Sequence, residues 1–100
     1  MGLDINNLTN ILGCKYPIIQ TAMGWVATPE LVAASSNAGA FGFLALATCG
    51  PEEAIEMIEK TLTLTDKPFG INFHMFQPGA DEIVATVIKH KIKAVSYSRS

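Results

Sequence analysis

An asparagine near the end of an apolar segment is the residue that most suggests chemistry. Asn72 closes the run Phe-Gly-Ile-Asn at residues 69–72, although asparagine is a poor strand former. A buried amide left without partners costs roughly 1–3 kcal/mol per unsatisfied group. Gly70 shares the strand face of Asn72 because side chains alternate along a strand, so we expect this glycine to leave space for a flat ligand that the amide binds. A structural role for Asn72 in capping the following turn is the open alternative.

A second candidate is the corner formed by Met23 and Gly24, which follows another apolar run. Methionine offers a polarizable, adaptable surface to a ring system, and glycine permits close backbone approach or a positive φ. A core methionine before an ordinary turn is the alternative. Trp25 comes next in the chain, where it would either wall a pocket or cover the rim of the fold.

Groups for acid–base or metal chemistry are sparse. His74 follows Asn72, and we expect an exposed loop histidine there because no carboxylate or nucleophile is spaced to partner it. Cys14 and Cys49 stand far apart, with neither a Cys-x-x-Cys pair nor paired histidines at ligand spacing. The pattern predicts two reduced thiols and no metal site.

Composition argues against two classes of partner. A net charge of −2 over 100 residues offers no basic surface for nucleic acid. No segment approaches the roughly 18 apolar residues that cross a bilayer, and the N-terminus lacks the apolar core of a signal peptide. Because both cysteines are interpreted as reduced thiols, we expect a cytoplasmic protein, with no nucleic acid and no membrane partner.

Strands and helices are predicted to alternate along the chain. Thr28 is the expected N-cap of one helix, with Pro29 in its first turn and Gly39 just after its end. The last helix is expected to bury one apolar stripe, made of Ile83, Val84, Val87 and Ile88. The predicted helices cover residues 3–12 and 29–38 and begin again after residues 50 and 79, and the predicted strands cover residues 17–22, 40–46, 69–73 and 94–97.

This alternation predicts an α/β fold with a parallel sheet. A doubly wound open sheet and a closed (β/α) barrel of TIM type both fit, and in both the ligand binds at the carboxyl ends of the strands. A complete barrel needs eight strands and about 250 residues. We therefore expect residues 1–100 to form the truncated N-terminal part of one barrel domain, with only about the first four strands present.

Three segments occur in an order that resembles a known family. They are Pro-Ile-Ile-Gln-Thr-Ala-Met-Gly at residues 17–24, Asn-Ala-Gly-Ala-Phe-Gly at residues 37–42, and Lys-Pro-Phe-Gly-Ile-Asn at residues 67–72. Together they resemble the N-terminal third of the nitronate monooxygenase family, formerly called 2-nitropropane dioxygenases. That family also includes FMN-dependent enoyl-ACP reductases and reductases of CoA thioesters.

The resemblance implies an FMN-binding TIM barrel. It implies that Ala22, Met23 and Gly24 lie against the isoalloxazine ring and that Asn72 bonds to the flavin. The phosphate-binding glycine segments and the proton-transfer histidine of the family belong to later strands, so no catalytic residue carries over. The expected function is that of an FMN-dependent oxidoreductase that acts on a small molecule when full length, with these hundred residues inactive alone.

Two departures from the family pattern keep alternatives open. Thr-Ala-Met-Gly-Trp at residues 21–25 stands where many members read Ala-Pro-Met followed by small residues, and it resembles a branch of reductases acting on CoA-linked ring substrates. Lys91 stands where the family commonly has glycine, at a cost on the order of 1 kcal/mol if the backbone there is left-handed. Two alternatives belong to other classes. One is a non-flavin α/β enzyme, and the other is a non-catalytic half-barrel that pairs with a second half or with itself as a homo-oligomer.

Overall fold

The computed structural model describes residues 5–24 and 26–98 and confirms the alternation of helices and strands. Residues 3 and 4 of the predicted first helix, and Trp25, lie outside the described residues. The first strand is shorter than predicted, because only two of its residues pair with a neighbour. The elements are α1 (Ile5–Leu12), β1 (Ile19–Gln20), α2 (Pro29–Asn37), β2 (Phe41–Ala45), α3 (Pro51–Leu64), β3 (Gly70–His74), α4 (Ala80–His90) and β4 (Ala94–Ser98).

The four strands form one parallel sheet in the order β1-β2-β3-β4. Each strand neighbours the one before it in sequence, and the intervening helix makes the crossover. The register pairs Phe43 with Gly70 and Asn72 with Ser96. Because the strands are parallel, the segments that follow β1, β2 and β3 all lie at the same end of the sheet.

The hydrophobic core lies between the helices and one face of the sheet. Leu44 and Ile71 point from the strands into it, where they meet Val32, Ile58 and Ile83 from the three helices α2, α3 and α4. All five side chains are fully buried. Burial of each is worth roughly 1.5–3 kcal/mol relative to exposure. Side chains alternate along a strand, so the sequence neighbours of Leu44 in β2 and of Ile71 in β3 point to the opposite face of the sheet. We call that opposite face the inner face.

Local sequence signals determine the ends of α2. The Thr28 hydroxyl accepts a hydrogen bond from the backbone N–H of Leu31 at 3.3 Å, and Pro29 occupies the first turn, both as predicted. Gly39 follows the helix with φ of 103°, a conformation that costs glycine little and other residues considerably more. The predicted beginning and end of this helix are therefore confirmed.

The predicted buried stripe of α4 is only partly correct. Ile83 is fully buried, whereas Val84 is 43% exposed and Ile88 70% exposed. Thr86 takes their place in the core, and its hydroxyl donates to the Glu82 carbonyl at 2.8 Å. The helix lies at the side of the helical layer, so it buries a narrower face than its apolar stripe provides.

Candidate functional site

A depression of about 270 Å³ lies on the inner face of the sheet. Residues from all four strands or the segments that follow them contribute to it, so that polar groups from separate parts of the chain converge there. This convergence at the carboxyl end of a parallel sheet is where α/β folds bind ligands. The lining residues are Ile19, Thr21, Ala22, Phe43, Asn72 and Ser96.

Asn72 is held in one amide orientation by the adjacent strand. Its Nδ2 donates to the Ser96 carbonyl oxygen at 3.3 Å and to the Ser96 hydroxyl oxygen at 3.1 Å. A carbonyl oxygen only accepts hydrogen bonds, so it must face the amide nitrogen and not Oδ1. None of the described residues donates to Oδ1. The depression thus contains a hydrogen-bond acceptor whose direction is determined by the fold.

The space above Gly70 is not left for a ligand, and that part of the sequence prediction is wrong. A Cβ at this position would lie only 2.5 Å from Cε1 of Phe43. The glycine therefore makes room for the Phe43 ring, which also packs edge-on against Phe41 with centroids 5.3 Å apart. The prediction considered one strand alone and missed the side chain from its neighbour. Phe43 instead supplies an aromatic wall beside Asn72.

Ala22 lines the depression together with Asn72, and its contact with a flavin ring stays a prediction. Met23 is 47% exposed and, like Gly24, is not part of the lining. The Met23 carbonyl accepts from the backbone N–H groups of Val26 and Ala27 at 3.1 and 2.8 Å, so this residue anchors a tight turn. Contact of Met23 with a bound ring stays a prediction.

Gly24 does not have the positive φ that was considered for it. The nearest atom to a Cβ built there is Cγ2 of Thr48, at the ordinary contact distance of 3.9 Å. Gly24 therefore lies beside the segment that follows β2, at the ligand-binding end of the sheet. Gly24 is therefore distinguished by the open space around it and not by a left-handed backbone conformation.

Gln77 connects the segments at this end of the sheet, and the sequence analysis missed it. Its Nε2 donates to the carbonyls of Leu46 and Cys49 at 2.9 and 3.2 Å. Its Oε1 accepts from the backbone N–H of His74 at 2.7 Å. One side chain thus joins the segment after β2 to the end of β3. A glutamine in a turn carries no sequence signal for such a role.

Gln20 has a similar function at the first strand. Its Nε2 donates to the carbonyls of Thr21 and Phe43 at 2.7 and 3.2 Å, which ties β1 to β2. Its Oε1 is buried and has no partner among the described residues. A Cβ on Gly42 would meet that oxygen at 2.9 Å, so the amide lies on the core side of the sheet and outside the depression.

The ionisable groups near this end of the sheet do not form a reactive cluster. Burial, followed by the neighbouring Glu53, raises the pKa of the Cys49 thiol to about 12. The hydrogen bond from Lys60, 2.6 Å away, is the main cause that lowers the pKa of Glu30.

No metal-binding group of three or more His, Cys, Asp or Glu residues occurs in residues 5–24 and 26–98. Nor does any helix within these ranges have the length and apolar character needed to cross a membrane.

Known proteins resemble this chain in both sequence and structure. A CoA dehydrogenase from Rhodococcus jostii strain RHA1, the (3aS,4S,5R,7aS)-5-hydroxy-7a-methyl-1-oxo-octahydro-1H-indene-4-carboxyl-CoA dehydrogenase, is 43% identical over 91% of the chain. A nitronate monooxygenase from Pseudomonas aeruginosa is 42% identical over 74% of the chain. These matches cover 26% and 21% of the two relatives, so the chain spans about a quarter of the length of the curated relatives.

The fold comparison agrees with the sequence comparison. FabK from Thermotoga maritima superposes with a TM-score of 0.86 and 31% identity, over 99% of this chain and 32% of that one. FabK is a TIM barrel, which confirms the predicted partial barrel of four parallel strands. The family model for nitronate monooxygenase matches residues 6–99. Proteins of this family are flavoproteins. The chain therefore belongs to the nitronate monooxygenase family.

Proposed function

We propose that residues 1–100 are the N-terminal part of one FMN-binding barrel, and that the full-length protein is an FMN-dependent oxidoreductase of the nitronate monooxygenase type. The observation that carries the proposal is the inner-face depression, which brings Ala22 and Asn72 together at the carboxyl end of the sheet. Bound FMN would accept and donate the electrons of the reaction. The chain's own contribution is to hold and orient the ring.

The depression suits one edge of a flat heteroaromatic ring. Phe43, Ile19 and Ala22 give it apolar walls, and Asn72 presents an acceptor that no described residue occupies. Few, fixed polar groups in an apolar site are the usual features of a cofactor pocket. Met23 and Gly24, in the turn next to Ala22, would cover the ring from the side.

The test is FMN binding by the full-length protein and its Asn72→Ala variant, followed by flavin absorbance and fluorescence. Loss of one net hydrogen bond predicts affinity weakened about 3- to 10-fold. Asn37→Ala is the matched control: Asn37 bonds to Thr65 and Leu64 near the end of α2, away from the depression. It should affect stability but not affinity. Unchanged FMN affinity in Asn72→Ala would contradict the assigned site.

The phosphate anchor of the family lies outside these residues, according to the resemblance. The 100-residue chain alone should therefore bind FMN weakly and show no turnover. Titration of this chain, beside the full-length protein, measures the contribution of the remaining residues. Tight binding or turnover by the short chain would overturn this part of the proposal.

Reduction of an enoyl-type or CoA-thioester substrate is the second candidate function. The similarity to the Rhodococcus CoA dehydrogenase extends over 91% of the chain, against 74% for the Pseudomonas nitronate monooxygenase. Oxygen consumption with a nitronate substrate would favour the first function. Flavin-dependent turnover of an unsaturated acyl-CoA, with a nicotinamide cofactor as reductant, would favour the second.

A non-catalytic half-barrel that pairs with itself is the candidate of another class. Strands β1 and β4 are the two edges of the sheet, and unpaired parallel edges favour association. An apolar groove of about 360 Å³ lies between α4 and β4, on the face of the sheet that the helices cover. Its lining includes Val84, Val95 and Tyr97, and it adds exposed apolar surface. Size-exclusion chromatography of the 100-residue chain discriminates, since a discrete dimer supports self-pairing whereas aggregates do not.

The proposed location is the cytoplasm. Cys14 and Cys49 are both free thiols, as expected in a reducing compartment. Fractionation of cells expressing the full-length protein, with thiol labelling of both residues, tests this location.

A further inference from the structure

Ser96 holds an unusual position relative to Asn72. The two residues are paired across β3 and β4, and both line the inner-face depression. The Asn72 amide has two hydrogens, and it has two acceptors on Ser96, the carbonyl oxygen at 3.3 Å and Oγ at 3.1 Å. With both hydrogens directed at Ser96, Asn72 can only accept from a ligand.

The same contacts determine what the Ser96 hydroxyl can offer. Its oxygen accepts from Asn72, so the single hydroxyl hydrogen takes no part in that bond and can donate to a ligand in the depression. The site therefore presents an acceptor, Asn72 Oδ1, beside a donor, the Ser96 hydroxyl. A ligand that satisfies both must present an N–H next to a carbonyl oxygen.

From this arrangement we propose that Ser96 is a positioning residue for the flavin, an inference that rests on the proposed function. Ser96 fixes the Asn72 amide so that Oδ1 accepts from the N3–H of the pyrimidine ring, and its own hydroxyl donates to an adjacent carbonyl oxygen. If N5 of the oxidised flavin faced Asn72 instead, two hydrogen-bond acceptors, N5 and Asn72 Oδ1, would face each other. The pair thus recognises the imide edge of the ring.

The test measures dissociation constants of the full-length protein for FMN and for 3-methyl-FMN, which lacks the N3–H. The unmodified protein should bind 3-methyl-FMN about 10-fold or more weakly than FMN. Ser96→Ala should weaken FMN binding about 3- to 10-fold and reduce the preference for FMN over 3-methyl-FMN. Ser96→Thr, which keeps the hydroxyl, should retain both. Ser96 is not part of the buried core beneath the helices, so the substitutions leave that core intact.

Ser35→Ala, a serine on α2 outside the depression, is the control and should change neither constant. A role for Ser96 in stability alone would not alter the preference between the two flavins. Equal binding of FMN and 3-methyl-FMN by the unmodified protein, or unchanged constants in Ser96→Ala, would overturn this inference while leaving the proposed function intact. Absence of any flavin binding would overturn the proposed function, and the inference with it.

Discussion

Replacement of Lys91 by glycine should stabilise the protein. Lys91 follows α4 with φ of 54° and ψ of 47°, and among the described residues it is the one non-glycine with a positive φ. Its N–H donates to the Ile88 carbonyl at 3.3 Å, and the N–H of Ile92 donates to the Val87 carbonyl at 3.1 Å. These two bonds form the Schellman pattern, in which glycine is the usual left-handed residue.

The magnitude follows from two opposing effects. A left-handed conformation costs a residue with a Cβ roughly 1–2 kcal/mol. Glycine loses more backbone entropy on folding, which offsets about 0.5–1 kcal/mol of that gain. The expected net increase in the free energy of unfolding for Lys91→Gly is therefore about 0.5–1 kcal/mol. For a domain of this size, Tm should rise by roughly 2–8 °C.

Urea unfolding followed by far-ultraviolet circular dichroism is the assay, with Lys91→Ala as the matched control. Alanine removes the charge near the helix C-terminus, as glycine does, but keeps the Cβ. The difference between the two variants therefore isolates the backbone conformation from the helix dipole. A midpoint for Lys91→Gly at or below that of Lys91→Ala, with equal slopes, would refute the reasoning.

Two further predictions concern close packing and a buried thiol. Gly70→Ala should lower the free energy of unfolding by about 1–3 kcal/mol, because its Cβ would collide with the Phe43 ring 2.5 Å away. Adding Phe43→Leu should recover part of that loss in urea unfolding, and fully additive losses would argue against the clash. Cys49, with its pKa raised to about 12 from 9.0, should resist alkylation in the native protein while Cys14 reacts, as measured by mass spectrometry. Since the unfolded state loses the Cys49 proton first, stability should fall as pH rises from about 9 toward 12, and a Cys49→Ala variant with the same decline would contradict this cause.

Much of the architecture could be predicted from local sequence signals. Thr28, Pro29 and Gly39 determine where α2 begins and ends, because capping and φ preference depend on a few neighbouring residues. Apolar runs separated by helical segments predict a parallel sheet with its ligand-binding end after the strands. The same topology placed Ala22 and Asn72 at one end, where both now line a single depression.

The lateral neighbours of each strand and helix were decided by the tertiary structure alone. Gly70 faces the Phe43 ring and Asn72 faces Ser96 because of the register between strands, which no single segment encodes. The exposure of Ile88 likewise depends on which elements lie beside α4. Local propensity acts over a few residues, whereas these contacts join positions 24 or more apart in the chain. The sequence by itself determined the elements and their order, and the packing of the sheet determined what the inner face offers a ligand.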